Sequence, residues 1–224
     1  MHIVIFSLSL MMLRIQYDND KLFDLLQRSK VFKIMDNNKV DHLKINMNIV
    51  SQNKYLDCLK SEIYEQLKSM NCNVLKPTEN NFIMEFWNTS FNKWRKIQRT
   101  SLDWHTDDYQ LIPYQTYTAI LYYHKGDGIE GGNLKIMEDK DNSDITIIDT
   151  WSMKTLLIFE GDLYHCPEAV TVINKQKELK RQIVTMFFAK DTTSPYKSLM
   201  DKLTQVILKI DFFSYHMYIF YPNI

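Results

Sequence analysis

All five glycines of this 224-residue chain, Gly126, Gly128, Gly131, Gly132 and Gly161, lie between positions 126 and 161. An average chain carries about 7% glycine, so this one withholds it almost everywhere. It keeps glycine where the backbone needs a positive φ or a close approach, and the window is therefore expected to hold tight hairpins. Collagen-like, flexible-linker and glycine-rich phosphate-loop architectures are excluded. Around the window, short runs rich in β-branched and aromatic residues recur with turn signals between them: Phe82 to Trp87, Thr116 to Tyr123, Asn133 to Met137, Ile145 to Ile148, Thr155 to Phe159 and Gln182 to Phe188. Many short strands with hairpin punctuation predict a mainly β fold, a sandwich or barrel such as a jelly roll.

Helical periodicity flanks this region. Leu56, Leu59, Ile63, Leu67 and Met70 recur at three or four positions with Lys60, Glu62, Glu65 and Lys68 between them, which predicts an amphipathic helix from about Ser51. Residues 15–50 are polar with short apolar clusters at Leu22 to Leu26 and Val31 to Ile34, and read as a variable extension. After Lys190, Ser194-Pro195 predicts an N-cap and first turn, with Leu199, Leu203, Val206 and Ile210 on one face before an aromatic tail. The organisation expected is an extension and supporting helix (1–80), a β core (81–190) and a C-terminal helix with its tail (191–224).

Charge narrows the partners. Lys and Arg number 27 and Asp and Glu 27, so no global field draws the chain to nucleic acid, although a local basic patch stays open. Cys58, Cys72 and Cys166 are odd in number and lack CxxC spacing, which argues against a disulfide framework or a structural zinc and favours a reducing, cytoplasmic setting. Residues 3–13 form an apolar run too short for the ~20 residues of a membrane span. The run reads as a buried strand or helix start, with secretory or membrane targeting as the other reading.

Chemistry concentrates at His105-Thr106-Asp107. In an extended segment, residues i and i+2 share a face, so an imidazole and a carboxylate reach one ion together. Alone the triplet is weak. Its context is an aromatic strand, a Gly-Gly turn into another strand, then a strand and turn leading to His165, and later Arg181. Two histidines and a carboxylate on one face make the facial triad of non-haem Fe(II) oxygenases, with positions left open for co-substrate and O2. An arginine supplies the two-pronged donor that a distal carboxylate needs.

The ordered segments WHTDD, TAILYYHKG, EGGNLKI, LLIFEGDLYHCPEAV and KRQIVTMFF resemble the Fe(II)/2-oxoglutarate-dependent dioxygenases, within them the prolyl 4-hydroxylase type, over about Asn81 to Lys190. The resemblance implies a double-stranded β-helix with flanking N- and C-terminal helices. It implies His105, Asp107 and His165 as Fe(II) ligands and Arg181, Tyr123 and Thr185 as holders of the distal carboxylate of 2-oxoglutarate, with Leu121, Leu134 and Phe187 lining the pocket. A one-residue change of register would put Tyr122 in place of Tyr123. Two departures stand out: Asn174 to Leu179 lengthens the interval from His165 to Arg181, so that loop must bulge outward, and Arg181-Gln182-Ile183 replaces the Arg-x-Ser of many relatives.

The activity implied is hydroxylation of a C–H bond, on a protein or peptide prolyl or related side chain, using 2-oxoglutarate and O2, releasing succinate and CO2, with ascorbate as the accompanying reductant. A nucleic-acid demethylase of the same superfamily is disfavoured by the zero net charge and by the lack of a dense basic run around the site. A jelly roll without turnover, serving as a binding module, is the other alternative.

Overall fold

The computed structural model describes residues 3–8, 11–17, 20–98, 103–108, 110–111, 114–137, 145–151 and 155–192. The expected C-terminal helix and aromatic tail, and the acidic loop 138–144, lie outside the described residues.

In chain order the elements are β1 (Ile3–Leu8), β2 (Met11–Tyr17), α1 (Asp20–Ser29), α2 (Val31–Asn38), β3 (His42–Asn46), α3 (Met47–Gln52), α4 (Lys54–Ser69), β4 (Phe82–Ser90) and β5 (Ile97–Gln98). There follow β6 (Thr116–Lys125), β7 (Ile129–Gly131), β8 (Leu134–Met137), β9 (Ile145–Ile148), β10 (Thr155–Glu160), β11 (Tyr164–Pro167), β12 (Val170–Val172) and β13 (Lys180–Ala189). A seven-stranded sheet runs β1-β2-β10-β6-β13-β4-β3, and two three-stranded sheets run β11-β8-β9 and β5-β12-β7. Every pairing in them is antiparallel. This is a mainly β fold of the jelly-roll kind.

The central strands of the large sheet, β10, β6 and β13, carry apolar side chains on both faces because both are covered. One face carries Phe82, Phe86, Ala119, Leu121, Leu156, Ile158, Val184, Met186 and Phe188 and packs on the helices. The helices answer with the predicted stripe of α4, where Leu56, Leu59, Ile63 and Leu67 are at most 3% exposed, and with Leu22, Leu26 and Met35 from α1 and α2. Asn53 starts α4, its side chain accepting from the backbone of Tyr55 and Leu56. The opposite face carries Ile120, Tyr122, Leu157 and Phe159 against Leu134, Ile136 and Leu163, and this second core holds the site.

The stretch read as an extension is built into the sheet. The apolar run near the start forms β1 and β2, and β2 pairs with β10 (Thr155↔Tyr17 to Ile158↔Arg14). β3 pairs with β4 (His42↔Trp87 to Asn46↔Ile83) and forms the other edge. Ten- and eight-residue helices repeat the helical period too few times to announce themselves in a sequence. The loop from Ile173 to Glu178 is exposed throughout and projects from the strands, which leaves Arg181 in register on β13.

Candidate metal and dicarboxylate site

The loop bearing His105 runs beside β11, and His105 and His165 exchange both backbone hydrogen bonds at 2.9 Å. Directly opposed residues of an antiparallel pair project to one side. Their imidazole centroids accordingly lie 4.4 Å apart. Asp107, two residues on, reaches the same face, anchored where its backbone N–H donates to the Gly161 carbonyl at 2.6 Å. Glycine is required at 161, because a Cβ there would overlap the Thr116 hydroxyl.

The protons of this cluster are set by its neighbours. His105 Nδ1 donates to the Asp103 carbonyl (2.6 Å) and His165 Nδ1 to the Leu163 carbonyl (2.8 Å). A carbonyl only accepts, so each neutral ring turns its Nε2 lone pair inward. Those lone pairs face Asp107 oxygens at 3.6 Å and 3.5 Å, and Thr118 donates its hydroxyl to Asp107 Oδ2 at 2.8 Å. Burial pushes the Asp107 carboxyl up, against the pull of the imidazoles and of Thr118. Burial likewise pushes His165 down, against Asp107. Three inward electron-pair donors, with ligand atoms all within 4.8 Å of one another, are the donor set a cation satisfies.

Across the same cavity sits Arg181, 5% exposed. Its Nη1 donates to the Gly132 carbonyl at 3.3 Å, and its Nε has no hydrogen-bond partner among the described residues. Gly132 has φ +76°, and a Cβ there would stand 3.1 Å from Arg181 Nη1, so glycine both makes the turn and leaves room for the guanidinium. A buried cation without a carboxylate marks a place for an anion. Tyr122 lies beside it, its phenol kept protonated by burial despite the arginine. Thr185, Ile120, Leu134, Ile183 and Phe187 complete this part of the wall. The cavity's free volume of about 70 Å³ is several times the ~10–15 Å³ that one water needs.

Of the residues expected here, His105, Asp107, His165, Arg181, Thr185, Leu134 and Phe187 converge on the cavity. Leu121 and Tyr123 do not. Leu121 is fully buried in the helix-facing core, and Tyr123 is stacked on Phe23 (5.9 Å) and Phe32 (5.4 Å). The reason is the register of β6, whose regular alternation places 118, 120 and 122 toward the site and 121 and 123 toward the helices. A β-bulge follows, where Tyr122 opposes Ile183, His124 opposes Gln182 and Tyr123 is the extra residue.

Sequence reasoning also missed Thr118, Glu85, Trp87 and Gln110. Glu85 is a buried carboxylate paired with Lys44 (3.0 Å) and His42 (3.5 Å), and His42 stacks on Trp87 at 3.9 Å. The available signal was a lone acid inside the apolar run from Phe82 to Trp87. His124, near the end of β6, pairs with Glu178 at 2.8 Å outside the site.

Among solved structures the chain is similar to prolyl 4-hydroxylases from Phytophthora capsici, with TM-score 0.54 and 11% identity over 82% of this chain. That match shows a shared fold, and this chain spans 61% of the Phytophthora chain. A Pseudomonas putida prolyl-4-hydroxylase aligns with TM-score 0.48 and 12% identity over 80% of this chain and 92% of its own. No family model matches the sequence, and no curated protein matches it.

Proposed function

We propose that the chain is an Fe(II)- and 2-oxoglutarate-dependent dioxygenase that hydroxylates a C–H bond. One observation carries the reading: a two-histidine, one-carboxylate cluster and a buried arginine that meets no carboxylate among the described residues face each other across one cavity. Catalytic zinc also accepts two histidines and a carboxylate, but the jelly-roll fold shared with the Phytophthora prolyl 4-hydroxylases favours iron here.

In this reading His105, Asp107 and His165 hold the metal, which when bound couples O2 activation to decarboxylation of 2-oxoglutarate, giving succinate and CO2. The Nδ1–H bonds to backbone carbonyls fix both rings, and Thr118 fixes the carboxylate. Arg181 receives the distal carboxylate, with the Tyr122 phenol and Thr185 hydroxyl as neutral donors. Ile120, Leu134, Ile183 and Phe187 exclude water from it. The fold shared with the Phytophthora prolyl 4-hydroxylases favours a peptide prolyl or related side chain as substrate, entering past Trp87 and Gln110, with ascorbate as reductant.

The test is iron-dependent release of succinate from 2-oxoglutarate, measured with and without proline-containing peptides. His105→Ala is expected to lose both metal and turnover. Iron-loaded protein that binds no 2-oxoglutarate, together with unchanged metal binding in His105→Ala, would overturn the proposal.

A further inference from the structure

The chain has no net charge, yet it gathers cations at one place. Residues 92–98 contain three Lys or Arg and residues 173–177 contain two, with no Asp or Glu in either stretch. The two stretches are neighbours: Thr171 pairs with Ile97, and the Val172 N–H donates to the Lys96 carbonyl at 2.7 Å. Ile173 therefore stands diagonally across from Ile97 on one face, where side chains come within reach of each other. Lys175 lies 5.8 Å over the Trp94 ring, with Lys93 on the same ring at 5.0 Å. Lys177 is the member with an acidic neighbour, Asp127 at 3.9 Å, and both of its partners are largely exposed.

At the centre of these cations are three large apolar side chains in water: Trp94 at 75% exposed, Ile97 at 66% and Ile173 at 51%. Lone exposed apolar residues mean little, but a group of them bordered by five Lys or Arg, with Asp127 and Glu178 at one margin beside Lys177, marks an interaction site. The chemistry separates the candidate partners. Strand addition by an acidic peptide needs a long free edge, and β5, the edge strand, is two residues long. Nucleic acid would reward aromatic stacking platforms, whereas two of the three apolar groups are aliphatic. A tryptophan at headgroup depth, aliphatic side chains just below it and Lys and Arg over lipid phosphates is the pattern of an interfacial anchor.

We infer that this face docks the protein peripherally on an anionic membrane surface. The surface is formed by the loop before β5 and the turn after β12, and needs no membrane-spanning helix.

The experiment is co-sedimentation of the full chain with vesicles of phosphatidylcholine alone and of phosphatidylcholine with phosphatidylserine. Binding is expected to the serine-lipid vesicles, weakened by salt. Lys93→Gln with Lys96→Gln should lower partitioning about 10- to 30-fold, and Trp94→Ala with Ile97→Ser should lower it at least about tenfold. Trp94→Phe should keep most binding but lose the blue shift of tryptophan fluorescence on anionic vesicles. All four positions are exposed, so these variants keep the parent fold, which circular dichroism checks. Equal binding to both vesicles, no binding to either, or variants that bind like the parent would overturn the inference. So would retention of a poly-glutamate peptide or single-stranded RNA in place of vesicles.

Discussion

Replacing Arg181 with methionine separates a binding role from a structural one, because the two predict opposite changes in stability. The guanidinium is 5% exposed and, among the described residues, lacks a carboxylate and leaves Nε without a partner. An unsatisfied buried donor costs about 1–3 kcal/mol, and apolar replacement of buried ionic groups is often stabilising by ~1–4 kcal/mol. Methionine matches the length of the stem and fills the cavity wall. The Gly132 carbonyl is not orphaned, since it also accepts from Trp151 Nε1 at 3.0 Å. Ligand-free Arg181→Met should therefore be more stable than the parent by about 1–3 kcal/mol. For a unit of this size that raises Tm by roughly 2–10 °C. The same change leaves a buried carboxylate of 2-oxoglutarate unpaired, a loss of ~3–5 kcal/mol, or about 10²- to 10⁴-fold in Kd. Thermal melts with and without 2-oxoglutarate, in anaerobic Mn(II), read both effects: ligand at 100 times the parent's Kd adds about 2.7 kcal/mol to the parent and at most about 0.4 kcal/mol to the variant. A destabilised variant that still gains the full ligand shift would refute the reasoning.

Four further outcomes follow from the same geometry. Tyr122→Phe should weaken 2-oxoglutarate binding by about 10- to 100-fold, the worth of one hydrogen bond to a charged carboxylate, whereas Tyr123→Phe should leave it unchanged; calorimetry on the two variants decides which tyrosine faces the ligand. Thr118→Val keeps the shape but removes the donor to Asp107, and a Mn(II) titration should show metal affinity down by about 10- to 100-fold with the fold intact. Gly161→Ala forces a Cβ against the Thr116 hydroxyl, an overpacking cost of about 1–3 kcal/mol, and loosens the turn that anchors Asp107, so Tm and metal affinity should fall together. The hydrogen bonds from Lys180 (2.7 Å) and Asn88 hold Asp36 below the usual carboxylate value of 3.8, against burial. A depressed pKa contributes stability that is present above that value and is lost as pH falls through the lowered one, so acid melts of Asp36→Asn should lack this part of the low-pH decline. The pair is partly exposed, and its share stays within the ~1 kcal/mol of a surface pair.

What could be read from the sequence was what depends on nearest neighbours along the chain. His105 and Asp107 are two residues apart, Gly161 precedes His165 by a single turn, and the residues of β13 that face the site, 181, 183, 185 and 187, keep an unbroken period of two. The short N-terminal helices and β3 escaped because ten, eight and five residues repeat their periods too few times to stand out, and Glu85 escaped because its partners His42 and Lys44 are supplied by that same unrecognised strand. Tyr123 was misplaced for a different reason, a register off by one along β6, with Tyr122 as the residue on the site face. The bulge inserts a residue opposite Gln182 and Ile183, sends Tyr123 and His124 to one side in succession, and returns Lys125 to the other, where it lies 5.7 Å over the Trp151 ring. Trp151 in turn packs edge-on against Tyr122 at 4.9 Å and holds the carbonyl that Arg181 uses. Adjacent positions of β6 thus face opposite ways: Tyr123 is wedged between Phe23 and Phe32 of the helices, and Tyr122 is held against Trp151 beside the arginine. Loss of ring packing at Phe23 or Phe32 therefore has a direct covalent route to the arginine's side of the cavity through adjacent residues of one strand.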